Sequence, residues 1–151
     1  VKFSFWWGVA VIYMAVIFYL SHQPAVHSNE LSTSFTEVVI ELVGEETFRP
    51  PLTLDQLNYL LRKSTHFIAY FGLALVFWMA LEKRGFTRYV TAWGLATLYA
   101  CTDEFHQIFV EGRGGQLRDV GIDSSGAALA MLVILAIQMT RRLLSPGPKS
   151  S

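Results

Sequence analysis

Four apolar stretches dominate the sequence: Phe3 to Leu20, Thr65 to Leu81, Tyr89 to about Phe109, and about Asp119 to Met139. Each approaches the roughly 20 residues that a helix needs to cross a hydrocarbon core of about 30 Å. In hydrocarbon every backbone N–H and C=O must find its partner inside the protein, which leaves helices as the folded form for such segments. The composition agrees, since 52% hydrophobic and 16% charged residues over 151 positions are too apolar for an ordinary soluble domain. The sequence therefore predicts an all-α membrane protein, one domain over residues 1–151, with four transmembrane helices at about 3–20, 53–81, 89–109 and 119–139.

The first stretch carries no charge, and no small-x-small cleavage pattern follows it between Ser21 and Asn29, so it reads as a retained signal-anchor helix. Charge orients the rest. With the N-terminus in the cytoplasm, the inner side holds Lys2, Lys83, Arg84, Arg88, Arg141, Arg142 and Lys149 against the single acid Glu82. The outer side holds Arg49, Arg62, Lys63, Arg113 and Arg118 against the other eleven acids. Basic residues in short loops stay on the cytoplasmic side, so both termini are expected there. Twelve basic residues balance twelve acids over the whole chain, which excludes the net basic surplus of a nucleic-acid binder. The single cysteine, Cys101, excludes an intramolecular disulfide.

The outer loop from Ser21 to Ser64 is patterned. Leu31, Phe35, Val38, Val39 and Leu42 recur at helical spacing with Glu30, Glu37 and Glu41 between them, predicting an interfacial amphipathic helix. Gly44 can end it, Pro50 and Pro51 break the chain, and Thr53 with Gln56 fits a capping box that opens the next helix.

Under this topology the polar residues embedded in or beside the spans gather on the outer side. Lys63, His66 and Tyr70 form one stripe at i, i+3 and i+7. Asp103, Glu104, His106 and Gln107 end the third span; Asp103 lies 14 residues past Tyr89, or about 21 Å along a helix. Asp119 and Asp123 open the fourth. An acid at the centre of a transmembrane helix costs about 2.5–3.5 kcal/mol on insertion scales. Several together predict a shared, hydrated pocket. The simpler alternative, snorkelling end-caps, suits Asp119 at a helix start but not Asp103 and Glu104, which sit at the unfavourable C-terminal end of the helix dipole.

The turn Glu111-Gly-Arg-Gly-Gly-Gln-Leu-Arg-Asp119 surrounds Arg113 with three glycines, a combination suited to a phosphate or carboxylate. A tight turn in which Arg113 only pairs with Asp103, Glu104 or Asp123 is the competing reading. Gly126 and Ala130 form a small face for close helix packing. Ser124 and Ser125 lie beside Asp123 without a neighbouring base, and read as helix contacts. His66 among carboxylates suits acid–base chemistry near neutral pH. His106 can equally face water. The donor set is chemically able to hold a hard divalent cation, but no local ligand pair such as H-x-x-x-H fixes one, and no metal is expected.

These blocks resemble the VanZ-like membrane proteins over nearly the whole chain. The resemblance rests on Ser21-His-Gln-Pro24, on Lys63-Ser-Thr-His-Phe-Ile-Ala-Tyr70, and on Thr102-Asp-Glu-Phe-His-Gln107 followed by Gly112-Arg113, Asp119, Asp123 and Gly126. The family often has Ser where this chain has His22 and Pro where it has Glu111. The resemblance implies a small polytopic protein of the bacterial plasma membrane and envelope, with family members associated with resistance to glycopeptides such as teicoplanin, and it implies no particular reaction. Its pattern falls on His66, Tyr70, Asp103, Glu104, Gln107, Arg113, Asp119, Asp123 and Gly126.

Two functions follow as expectations. In the first, an enzyme modifies or hydrolyses a lipid-linked envelope precursor or membrane lipid: Arg113 with Tyr70, Gln107, Asp119 and Asp123 binds the anionic head, while His66, Asp103 and Glu104 carry the proton chemistry. In the second, the same residues bind or transport a lipid or a lipoglycopeptide antibiotic without breaking a bond. A purely structural bundle is the third reading, which leaves the polar cluster unexplained.

Overall fold

A local signal fixes where the second helix starts, and the computed structural model follows it, while the third and fourth helices start two to three residues before the expected positions; the structure describes residues 5–24, 30, 33–34, 38, 41, 53–82 and 85–144. Helix α1 spans Phe5–Ser21, α2 Leu54–Ala80, α3 Phe86–Gln107 and α4 Leu117–Leu144, with no strand among the described residues. At the head of α2 the expected capping box is formed: the Gln56 N–H donates to Thr53 Oγ1 (3.3 Å) and the Thr53 N–H to Gln56 Oε1 (2.9 Å). Two of the four orphan amides of that helix end are thereby satisfied. Gly85 precedes α3 with φ +69°, a left-handed conformation that L side chains adopt rarely. The amphipathic helix expected over 31–42 lies largely outside the described residues. Glu30 just before it and Thr33, Ser34, Val38 and Glu41 within it are helical, and Asn58 of α2 donates to Thr33 Oγ1 (3.0 Å).

Helix α2 packs against all three others, most extensively against α4, while α1 rests on α2 and touches α3 lightly. Small residues permit the close approaches. Ala92, Ala96 and Ala100 form a fully buried ladder along α3. A Cβ on Gly126 of α4 would collide with the backbone carbonyl of Phe67 in α2, so these two helices meet backbone to backbone as the small face Gly126–Ala130 predicts. Gly72 likewise admits the Tyr13 ring of α1. Leu73, Ala74, Phe77, Ala127, Ala130 and Met131 complete the core between α2 and α4.

Outside this core the bundle is apolar. Val11, Ile12, Val16, Ile68, Leu98, Leu132 and Ile137 are all exposed. Helix α4 is long and apolar enough to cross a membrane, and α1 is apolar over 17 residues. The expected number of helices is present, but α2 and α3 carry polar ends, Asp55 to Lys63 and Thr102 to Gln107, that dilute their apolar character. At the end of the bundle near Gly85, Arg88 stacks on Trp78 at 3.8 Å and donates to its carbonyl (2.8 Å), beside a cavity of about 270 Å³ that Tyr89, Gln138 and Arg142 help line. The candidate site lies at the opposite end.

Candidate functional site

Helices α2 and α4 run parallel, and their polar faces meet in successive rungs. Lys63 pairs with Asp119; one turn deeper His66 Nδ1 lies 3.5 Å from Asp123 Oδ1. The Phe67–Gly126 contact follows immediately below. That close contact sets the spacing of the helices at the His66–Asp123 rung. The stripe Lys63, His66, Tyr70 therefore faces the bundle interior, and its last member turns to α3: Tyr70 donates to Asp103 Oδ2 (3.2 Å).

Asp103 Oδ2 accepts two further bonds, from Ser21 Oγ of α1 (2.9 Å) and from Gln107 Nε2 one turn along α3 (3.4 Å). Three donors on one oxygen hold a buried carboxylate in a fixed orientation. Glu104, also buried, is held through Oε2 by the backbone N–H of Gln116 (3.0 Å). The turn after α3 folds back over Glu104 to supply that N–H. It can do so because Gly112 takes φ +71° and Gly115 lies against the Glu104 carbonyl with no room for a Cβ. His66 lies within electrostatic reach of Asp103 and Glu104 as well as Asp123.

Every expected site residue except Arg113 is engaged in this cluster. Arg113 pairs with no acid among the described residues; its Nη2 donates to the Leu20 carbonyl at 3.5 Å, across the end of α1, and its buried Nε has no partner. The tight-turn pairing with Asp103, Glu104 or Asp123 is thus not formed: the turn that brings Gln116 to Glu104 carries Arg113 toward α1. Burial, then the neighbouring Arg62, push the Arg113 guanidinium below its ordinary pKa, while Asp103 and Glu104 act in the opposite direction. It stays cationic at neutral pH, and an anion beside it relieves both penalties. His106 points away from Asp103 and pairs with His22 (Nε2 to Nδ1, 3.1 Å) against the Phe18 ring.

Sequence reasoning named Lys63 only as part of a stripe and did not place Ser21 or Gln116 in the site. Ser21 stood in a quoted motif as the first polar residue after an apolar span, which was the available signal. Ser124 bonds Trp93 and Thr97, and Ser125 bonds the Gly121 carbonyl (2.6 Å), so both are helix contacts.

Five buried carboxylate oxygens among the described residues lack any hydrogen-bond donor: Asp103 Oδ1, Glu104 Oε1, Asp119 Oδ1 and both oxygens of Asp123. Buried charge without full pairing costs several kcal/mol per ion even after relaxation, so a cluster of this kind calls for a charged or donating ligand. Ligating atoms of His66, Glu104 and Asp123 all lie within 4.8 Å of one another.

Among the described residues, a helical bundle with an apolar exterior and a buried polar centre drawn from all four helices defines the class. The chain belongs to the VanZ/LLP1 family, whose model matches residues 6–138. No curated protein and no solved structure matches it.

Proposed function

We propose that the chain is a multi-pass membrane protein with cytoplasmic termini, whose polar centre recognises the anionic headgroup of a membrane lipid or lipid-linked envelope component at the outer leaflet. The observation that carries this reading is the layering of the site. Arg62, Lys63 and Arg113 lie at the end of the bundle, and Arg113 holds an unpartnered buried Nε; one turn deeper lie His66, Asp123 and the acids of α3. The cationic groups offer a headgroup phosphate charge-assisted hydrogen bonds, while the apolar outer faces of α1 and α4 accommodate its chains. Exposed Val11, Ile12, Leu132 and Ile137 suit lipid contact, and only 28% of the most apolar window of α4 is buried, unlike the core helix of a soluble protein.

A second reading adds turnover, and the His66–Asp123 pair favours it. An imidazole beside a buried carboxylate is equipped to take or give a proton, with Asp103 and Glu104 nearby and Tyr70 and Gln107 holding Asp103 in place. By family likeness this activity bears on glycopeptide susceptibility, with a lipoglycopeptide as an alternative occupant.

Binding of anionic envelope lipids to the full chain in nanodiscs tests the proposal. Arg113→Lys is expected to weaken binding at least about tenfold, because an ammonium cannot reproduce the planar fork. Glu104→Gln abolishes product formation if the site turns lipid over, and spares binding if it does not. Wild-type protein that binds no anionic lipid above the level of a neutral one overturns the proposal.

A further inference from the structure

We infer that His66, Glu104 and Asp123 form a binding site for a first-row divalent cation, held between α2, α3 and α4. The geometry is close to that of a three-ligand centre. Bonds of about 2.0–2.2 Å in a tetrahedral site place neighbouring ligand atoms about 3.4 Å apart. His66 Nδ1 and Asp123 Oδ1 already stand 3.5 Å apart, and all three donors fall within 4.8 Å of one another. Small side-chain rotations of Glu104 close the remaining distance.

Independent of that spacing, the carboxylates are presented as ligands. Asp123 is 0% exposed and neither of its oxygens accepts a hydrogen bond; Glu104 is 4% exposed and its Oε1 is equally unpartnered. Buried acceptors are almost always satisfied, and a bare carboxylate beside another marks the place of a cation. The supporting contacts match what metal centres use to hold their ligands. Gln116 fixes Glu104 through its other oxygen, and the threefold-bonded Asp103 sits alongside with Oδ1 free. Two cations of the same end of the bundle are placed elsewhere: Lys63 is on Asp119, and Arg113 is on the Leu20 carbonyl.

The donor set selects the ion. One imidazole and two carboxylates suit Zn²⁺ or Mn²⁺; Mg²⁺ and Ca²⁺ prefer oxygen alone. Three protein ligands leave a coordination position for water or for a headgroup oxygen, as in catalytic rather than structural centres. The sequence offers the donors but no pattern that fixes an ion, and the expectation of no metal follows from that: the three ligands come from three helices, and no spacing within any one of them is diagnostic. An ion here also turns an acid-rich centre into one that accepts an anion. The site does not depend on the headgroup proposal, since all three ligands are protein groups.

The test uses full-length protein with its affinity tag removed, stripped with chelator and exchanged into nanodiscs of neutral lipid. Titration with Zn²⁺ and Mn²⁺, read by calorimetry and by the Mn²⁺ paramagnetic resonance spectrum, is expected to give one saturable site per chain. Asp123→Asn and Glu104→Gln each weaken it at least about tenfold, with Mg²⁺ a poor competitor. Glu111→Gln, in the exposed turn, leaves it unchanged. Because Asp123→Asn removes a fully buried charge and can affect folding, Glu104→Gln and His66→Gln are measured beside it, with helicity as the folding control. No saturable ion on wild-type protein overturns the inference, and so does equal binding by folded Glu104→Gln and His66→Gln. Protein that takes up the ion but no anionic lipid overturns the headgroup proposal alone; protein that binds lipid equally with and without chelator, and no ion, overturns the cation site alone.

Discussion

Gly126→Ala adds one methyl group where α4 meets α2, and the structure sets what that costs. The new Cβ meets the carbonyl oxygen, carbonyl carbon and Cα of Phe67, all backbone atoms at or inside the limits that real Cβ contacts observe. No side chain can rotate away, so the helices must separate. Overpacking of this kind costs about 1–3 kcal/mol, while replacing helical Gly by Ala returns up to about 1 kcal/mol of helix propensity. Gly121, on the same helix with nothing within 4 Å of its Cβ position, gains the propensity alone. The difference in unfolding free energy between Gly126→Ala and Gly121→Ala therefore isolates the packing contribution, expected at about 1–3 kcal/mol with Gly126→Ala the less stable. Because Gly126 lies one turn from Asp123 and Phe67 adjoins His66, the same separation opens the His66–Asp123 rung. Reversible unfolding in mixed micelles, with both variants measured under one set of conditions, gives the number. Two variants of equal stability, within about 0.5 kcal/mol, would refute the backbone-to-backbone contact between α2 and α4.

Ser21→Ala and Tyr70→Phe each remove one donor from buried Asp103 Oδ2 and are expected to destabilise by about 1–3 kcal/mol; the double variant departs from additivity because the two share an acceptor, which a double-mutant cycle detects. Gly115→Ala drives the turn off the Glu104 carbonyl and releases the Gln116 N–H from Glu104, so ligand binding falls while the helical content by circular dichroism is retained. Single cysteines at Ser34 and Gly85, in a Cys101→Ala background because Cys101 is exposed, report the topology: an impermeant thiol reagent on intact cells is expected to label position 34 and not position 85, and the reverse labelling removes the proposed orientation.

The helices were legible because hydropathy and capping are local. An apolar run of helical length and a Thr53–Gln56 capping box need no tertiary partner to be read. The stripe of Lys63, His66 and Tyr70 was legible for the same reason, since i, i+3 and i+7 share a face whatever that face meets. Which acid each member would find was not, because the answer depends on the relative height of α2 and α4, set by one glycine and one carbonyl. Arg113 was read as a clamp or an ion-pair partner from the glycines around it. Those glycines shape a turn whose direction depends on Gly115 packing against Glu104, a tertiary contact, and the guanidinium ends at the carbonyl of Leu20. Ser21 escaped as a site residue because a lone hydroxyl at a helix end has many ordinary uses, and only the fold brings it 2.9 Å from Asp103.

The alanine ladder of α3 repeats every four residues, so Ala92, Ala96 and Ala100 are interchangeable under a slide of four residues, about 6 Å. A surface that looks the same after such a slide cannot define its own position along the axis. What indexes α3 is its polar bonds: Asp103 keyed to Ser21 and Tyr70, Tyr99 bonded to the Met14 carbonyl (2.6 Å), Trp93 and Thr97 bonded to Ser124, and at the far end Tyr89 bonded to Gln138 (2.6 Å). The buried carboxylate thus acts as one stop among several on an otherwise smooth rail, and only a chain with these keys removed together would be free to settle one notch out of place with its helices intact.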